Sequence, residues 1–152
     1  MHMFVYGLYE SPLGKITVVK SERGLVKLDF CDCENKNLIR NEKFKELFSK
    51  LDLYFQGKPV EFNEKVDFQG VSPFRKLVYK EIMKIKWGQV KTYKEVSQRL
   101  QTSPRAVGNA LSKNEVLLII PCHRVVAKNG LGGYSSGIHI KRRLLELEGI
   151  TF

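Results

Sequence analysis

At 152 residues, 43% of them hydrophobic and 28% charged, the chain can bury a real core and has the composition of one globular domain or two small ones. No apolar run approaches the roughly 20 residues of a membrane-spanning helix, and three cysteines are too few for a disulfide framework. Residues 1–70 carry 11 Lys or Arg against 11 Asp or Glu, and residues 71–152 carry 15 against 5, so the net charge of +10 lies wholly in the second half. That division suggests two modules, 1–70 and 71–152, the second either facing a polyanion or merely presenting a soluble basic surface.

The first residues, Met1 to Gly7, have no basic n-region, long apolar stretch or cleavage site, which predicts a cytoplasmic protein. Phe4–Glu10, Lys15–Lys20 and Leu25–Phe30 read as strands of an antiparallel meander, separated by the turns Ser11-Pro12-Leu13-Gly14 and Ser21-Glu22-Arg23-Gly24. Cys31 and Cys33 follow; two thiols on one strand face are inert core, a strained disulfide, or two metal ligands without partners, and no metal is assigned. Between Asn41 and Phe55, Phe44, Leu47, Phe48, Leu51 and Phe55 recur at helical spacing, and Gly57-Lys58-Pro59 ends the pattern. Val60–Gly70 reads as extended. The first half is thus an antiparallel sheet with one helix.

The second half is punctuated by helix starts. Ser72-Pro73 is an N-cap with proline at the first helical position, predicting a helix to about Ile85 with Phe74, Leu77, Val78, Ile82 and Ile85 inward. Thr92 and Glu95 have capping-box spacing and open a short helix to Leu100; after Gln101-Thr102, Ser103-Pro104 opens another to about Ser112. Two short helices across a tight turn predict a helix-turn-helix. On the second of them Val107 and Leu111 face inward, leaving Arg105, Ala106, Gly108, Asn109 and Ser112 outside. Small residues around one arginine suit close, sequence-indifferent approach to a narrow groove with the arginine wedged into the base stack; the alternative is a helix that packs on another helix through them.

Val116–Ile120 is a β-type apolar run, expected to be buried, and Pro121-Cys122-His123-Arg124-Val125 follows. A cysteine there is commonly an inert core residue. Here Pro121 fixes the backbone, His123 supplies a base titrating near neutrality and Arg124 adds positive charge, which together favour thiolate and make Cys122 a candidate nucleophile. In extended backbone Cys122 and His123 point to opposite sides, so a bridging water would carry the proton. Such a base needs an orienting group. Glu148 in Leu145-Glu146-Leu147-Glu148-Gly149 is possible, with Glu146 competing for the role and an ordinary surface carboxylate the plainer reading.

The Pro121–Val125 run, with Thr92-Tyr93, Ser103-Pro104-Arg105-Ala106-Val107-Gly108, Asn114, Gly133-Tyr134-Ser135 and Leu144–Gly149 in the same order, resembles the O(6)-alkylguanine-DNA alkyltransferases, or methylated-DNA–protein-cysteine methyltransferases. The resemblance covers essentially all of residues 71–152, and the first half looks like that family's N-terminal domain. It implies an α+β protein, a small N-terminal ribonuclease H-like α/β domain followed by a winged helix-turn-helix-like domain. It further implies irreversible, single-turnover transfer of an alkyl group from guanine O(6) in double-stranded DNA to Cys122. His123 would be the base through water, Glu148 its orienting group, Tyr93 a hydrogen-bond donor to the leaving guanine and Asn114 the residue holding the active-site turn. Arg105 would replace the flipped base, with Ala106, Asn109 and Ser112 also at the DNA, and Tyr134, Ser135 and Val125 in the substrate pocket. No cofactor is implied, and a monomer is expected. One departure is Ser136, where many members have Gly. A DNA-binding module with an idle cysteine and a cysteine hydrolase using Cys122 and His123 are the other readings. The glycines at 130, 132, 133 and 137 suggest a hairpin or pocket wall rather than a phosphate cradle.

Overall fold

The computed structural model describes residues 3–32 and 36–152. Cys33 lies outside them, and with it the choice for Cys31 and Cys33 among inert thiols, a disulfide and metal ligands. Strands β1 (Val5–Ser11), β2 (Gly14–Ser21) and β3 (Gly24–Asp29) form the expected antiparallel meander in the order β1-β2-β3. The β2–β3 turn requires a glycine: Gly24 has φ +139°, and a Cβ there would stand 2.5 Å from the Lys65 carbonyl oxygen. The outer edge of β3 is not left open. Leu25 exchanges backbone hydrogen bonds with Lys65 and Asp67, and Leu28 does so with Glu115 and Leu117, so the linker and a second-half loop both extend the sheet.

A 3-10 turn at Asn41–Phe44 leads into α1 (Lys45–Phe55). Phe44, Leu47 and Leu51 face the core as the spacing predicts. Tyr54 does too, fully buried one position short of the predicted Phe55, which is only half-buried.

Three helices of the second half start where their caps require. The Ser72 side chain accepts from the Arg75 amide at the start of α2 (Pro73–Ile82), and Ser103 accepts from the Ala106 amide at the start of α4 (Pro104–Ser112). Thr92 and Glu95 form a reciprocal capping box at the start of α3 (Tyr93–Leu100). The left-handed Gln101, φ 57°, closes α3, and α3 with α4 makes the helix-turn-helix. Two predictions for α2 fail. It ends at Ile82 rather than Ile85, and Phe74 (37% exposed) and Leu77 (51%) face outward. The inward stripe is Val78, Tyr79 and Ile82, because the Tyr79 hydroxyl donates to the Ala110 carbonyl 2.7 Å away and orients that face on α4.

The Val116–Ile120 run is buried but is no strand. Only Val116 bridges to β3, and the chain then turns through a left-handed Leu118 at φ 70°. An apolar run reads as strand by composition; here it folds into a loop whose polar backbone is satisfied by Leu28, by its own turn and by Asn114. A two-residue parallel pairing joins β4 (Lys91–Thr92) to β5 (Val125–Val126), and α5 (Ile138–Leu147) closes the fold. One continuous core holds residues of both halves, from Ile16 and Leu51 to Val107 and Leu144. Among the described residues no helix is long and apolar enough to cross a membrane.

Candidate active site

Cys122 opens a 3-10 turn, Cys122–Arg124, between the buried loop and β5. The extended backbone assumed from sequence is therefore replaced by a tight turn, and all three side chains are buried. Asn114, placed just after α4, ties the site together: its amide donates to the Ile120 carbonyl (2.9 Å) and to Cys122 Sγ (3.2 Å), and its oxygen accepts from the Val116 amide (2.9 Å).

The sulfur faces a cavity of about 110 Å³ lined by Tyr93, Gly108, Leu111, Ser112, Gly133, Tyr134 and Ser135. A wider depression of about 620 Å³ lies between α2 and α3, with no thiol in its lining. Tyr93, at the start of α3, packs against Gly132; with φ +76° and a would-be Cβ 2.7 Å from the ring, that position has room for glycine alone. The glycine-rich segment is therefore a pocket wall, reached through a hairpin bridge between Ala127 and Gly130. Val125 is fully buried behind the site and does not line the cavity.

Behind Cys122, three donors converge on the carboxylate of Glu148, which caps α5 and is 3% exposed. His123 Nε2 lies 2.6 Å from Oε2, the Tyr54 hydroxyl donates to the same oxygen at 2.6 Å, and Arg124 Nε donates to Oε1 at 2.7 Å. The competitor, Glu146, is on the surface, 3.7 Å from Arg143. Burial pushes Glu148 up, but His123 and Arg124 outweigh it and hold the carboxyl at about 2. An ionised carboxylate only accepts, so Nε2 of His123 carries a proton. Burial lowers His123 against the pull of Glu148, with Arg124 and Lys141 also opposing a second proton. The imidazole is therefore neutral, and Nδ1, buried without a protein partner, is its basic nitrogen.

The thiol is not held as thiolate. Burial pushes Cys122 up to about 11, against the lowering effects of Asn114 and Lys141. Arg124, expected to supply that charge, is spent on Glu148 and on the Ile85 carbonyl (2.7 Å). The cation whose charge acts on the sulfur is instead Lys141, a residue the sequence reading did not single out. Its ammonium donates to the Val125 (2.7 Å) and Gly133 (3.0 Å) carbonyls, and burial lowers it to about 8, with Cys122 favouring its charge. Tyr93 and Tyr134 are pushed up by burial and remain phenols, able to donate. The Tyr134 hydroxyl is itself buried without a protein partner.

On α4, Val107, Ala110 and Leu111 pack inward, while Arg105, Asn109 and Ser112 are exposed and Ala106 and Gly108 are partly so. Gly108 and Ser112 thus lie both on the outer face of the helix and at the cavity. This agrees with the open-face expectation, and Gly108 also faces the Tyr93 ring of α3. Among the described residues, no three His, Cys, Asp or Glu are grouped to hold a metal.

Residues 73–150 match the family model for the DNA binding domain of 6-O-methylguanine DNA methyltransferase, and residues 4–68 match its ribonuclease-like domain. The chain belongs to the O6-methylguanine DNA methyltransferase family. Within it, a methylated-DNA–protein-cysteine methyltransferase of Sulfolobus acidocaldarius is 64% identical over 149 residues, spanning 98% of this chain and 96% of the relative. One from Sulfurisphaera tokodaii is 61% identical over 97% of this chain and 95% of its own length. Among solved structures, the Mycobacterium tuberculosis OGT in complex with DNA superposes with a TM-score of 0.84 at 32% identity, covering 94% of this chain and 91% of that one. In this family member the Ser136 that departs from the common glycine donates to Asp29 at 3.1 Å, linking the pocket wall to β3.

Proposed function

We propose that this chain repairs alkylated guanine in double-stranded DNA by moving the alkyl group onto its own Cys122, irreversibly and once per molecule. The observation that carries the reading is the Cys122 sulfur at the cavity beneath a small-residue helix face, with a neutral histidine and a fixed carboxylate behind it. The alkyl carbon is out of reach within the base stack, so the damaged nucleotide is flipped into the cavity. Arg105 fills the vacated stack, and Ala106, Asn109 and Ser112 lie along the DNA. Residues 71–152 bind DNA and accept the alkyl group, and residues 1–70 support them. The molecule acts as a cytoplasmic monomer.

In the transfer, Sγ forms a bond to the alkyl carbon as the bond from that carbon to guanine O(6) breaks, and guanine leaves with the electron pair. The thiol proton passes through a water to Nδ1 of His123, whose Nε2–H keeps donating to Glu148; the departing base takes up a proton from solvent, and His123 afterwards returns its own to solvent. Tyr93 donates a hydrogen bond to the leaving guanine, Tyr134 and Ser135 wall the alkylated oxygen, and Asn114 holds the sulfur in line. Because the thiol rests protonated, thiolate forms only as the base takes its proton, with the charge of Lys141 favouring it. A thioether is the product, and no group at the site hydrolyses it.

The test is incubation with duplex DNA bearing a labelled O(6)-methylguanine. One equivalent of label on the protein, absent in Cys122→Ala, is expected. No transfer rejects the reading, and turnover beyond one equivalent assigns a cysteine hydrolase instead.

A further inference from the structure

We propose that Tyr54, in the first half of the chain, is a positioning residue for alkyl transfer, acting through the hydrogen bond from its hydroxyl to the Glu148 carboxylate. The inference rests on the reading in which His123 and Glu148 serve Cys122. Tyr54 is fully buried on α1, its ring edge-on to Phe55 and Trp87 at 5.3 Å each and tilted over Phe62 at 6.0 Å. Packing therefore fixes the ring without help from the hydroxyl. That hydroxyl reaches a carboxylate 94 residues away and shares with His123 the same oxygen, Oε2.

The shared oxygen gives the contact its consequence. Arg124 holds Oε1, and His123 and Tyr54 together use the lone pairs of Oε2, so three donors fix the carboxylate plane against which the imidazole is aligned. Tyr54 also draws off charge that His123 would otherwise feel. The other charged groups facing His123 are Arg124 on its own turn and Lys141 on α5, both of which oppose a second proton on the ring. Without the Tyr54 hydroxyl, Oε2 presents more uncompensated charge to Nε2–H, and the ring takes a second proton more readily. Nδ1 is then occupied when Cys122 must give its proton up. The base must be neutral to act, so the acid limb of the rate profile moves to higher pH.

Tyr54→Phe in the full chain keeps the ring contacts and removes the hydroxyl. The second-order rate of label transfer from duplex DNA carrying O(6)-methylguanine would be followed against pH for the native protein, Tyr54→Phe and Glu148→Gln, with the imidazole 15N resonances of His123. Expected for Tyr54→Phe is a loss of about tenfold at neutral pH, the order of one hydrogen bond to a charged group, an acid limb at higher pH and a displaced His123 signal. A profile superimposable on the native one overturns the proposal. So does uniform slowing with an unmoved limb and signal, which is what lost packing alone would give. Native-rate transfer by Glu148→Gln rejects the relay itself, whereas a slow Glu148→Gln beside a normal Tyr54→Phe rejects only the part given to Tyr54. If Tyr54→Phe does not fold, the native protein still decides: the Tyr54 Cζ resonance must move with the His123 titration, and a resonance that ignores it overturns the proposal.

Discussion

At the scale of single residues, the site separates two properties that the Pro-Cys-His-Arg string suggests together, a reactive thiol and a low thiol pKa. Cys122 is held at about 11 by burial, so it should react slowly with a general thiol reagent such as iodoacetamide at pH 8. In the denatured chain the same thiol should react faster; a native rate equal to or above the denatured one would show a resident thiolate. Glu148 carries the complementary prediction. Its folded value of about 2 lies below the ordinary 4.5, so the stabilisation it contributes is complete above about 4.5 and disappears as pH falls toward 2. Acid denaturation of Glu148→Gln should therefore lose part of the native protein's pH dependence in that window, as read by circular dichroism against pH. His123 and Cys122 could be picked out from their neighbours in the chain, because the chemistry of a thiol beside an imidazole is local. Lys141 and Tyr54 could not. A lysine is by default exposed, and nothing near Tyr54 in the chain announces a carboxylate 94 positions on.

Among the elements, the best anticipated were those whose signals are short in range. Ser72-Pro73, Thr92 with Glu95 and Ser103-Pro104 each start a helix where the cap chemistry places it, each cap contributing about 1 kcal/mol. What the caps do not determine is which face turns inward. On α2 that was decided by a tertiary hydrogen bond from Tyr79 to α4, leaving Phe74 and Leu77 outside. The Val116–Ile120 run misled for a similar reason, since its backbone partners come from β3 and Asn114 rather than from a neighbouring strand of its own. For α4 the exposed arginine among small side chains leads to a separable effect. Arg105→Ala should slow transfer from duplex DNA far more than reaction with a free O(6)-alkylguanine base, measured as two second-order rates. Equal slowing of both would remove its place in the base stack.

For the whole molecule, the two halves share one core, and the site is built across their junction: Asn114 and Cys122 from one side, Tyr54 and the Asp29 contact to Ser136 from the other. An alkyl group added at a sulfur already 3.2 Å from the Asn114 amide crowds that amide and the wall of a cavity of only about 110 Å³. The fully alkylated protein should therefore melt several degrees below the free form, on the scale of about 1–3 kcal/mol of overpacking. Equal melting temperatures by calorimetry would count against that. Crowding at Asn114 bears on the loop that carries it, whose next residues, Glu115 and Leu117, supply the backbone partners of Leu28. Were that loop to shift, two main-chain groups of Leu28 would lose their partners at the outer edge of β3, the kind of open margin on which another chain can pair. On that expectation a used molecule would differ from a fresh one by an open sheet margin rather than by the methyl group itself.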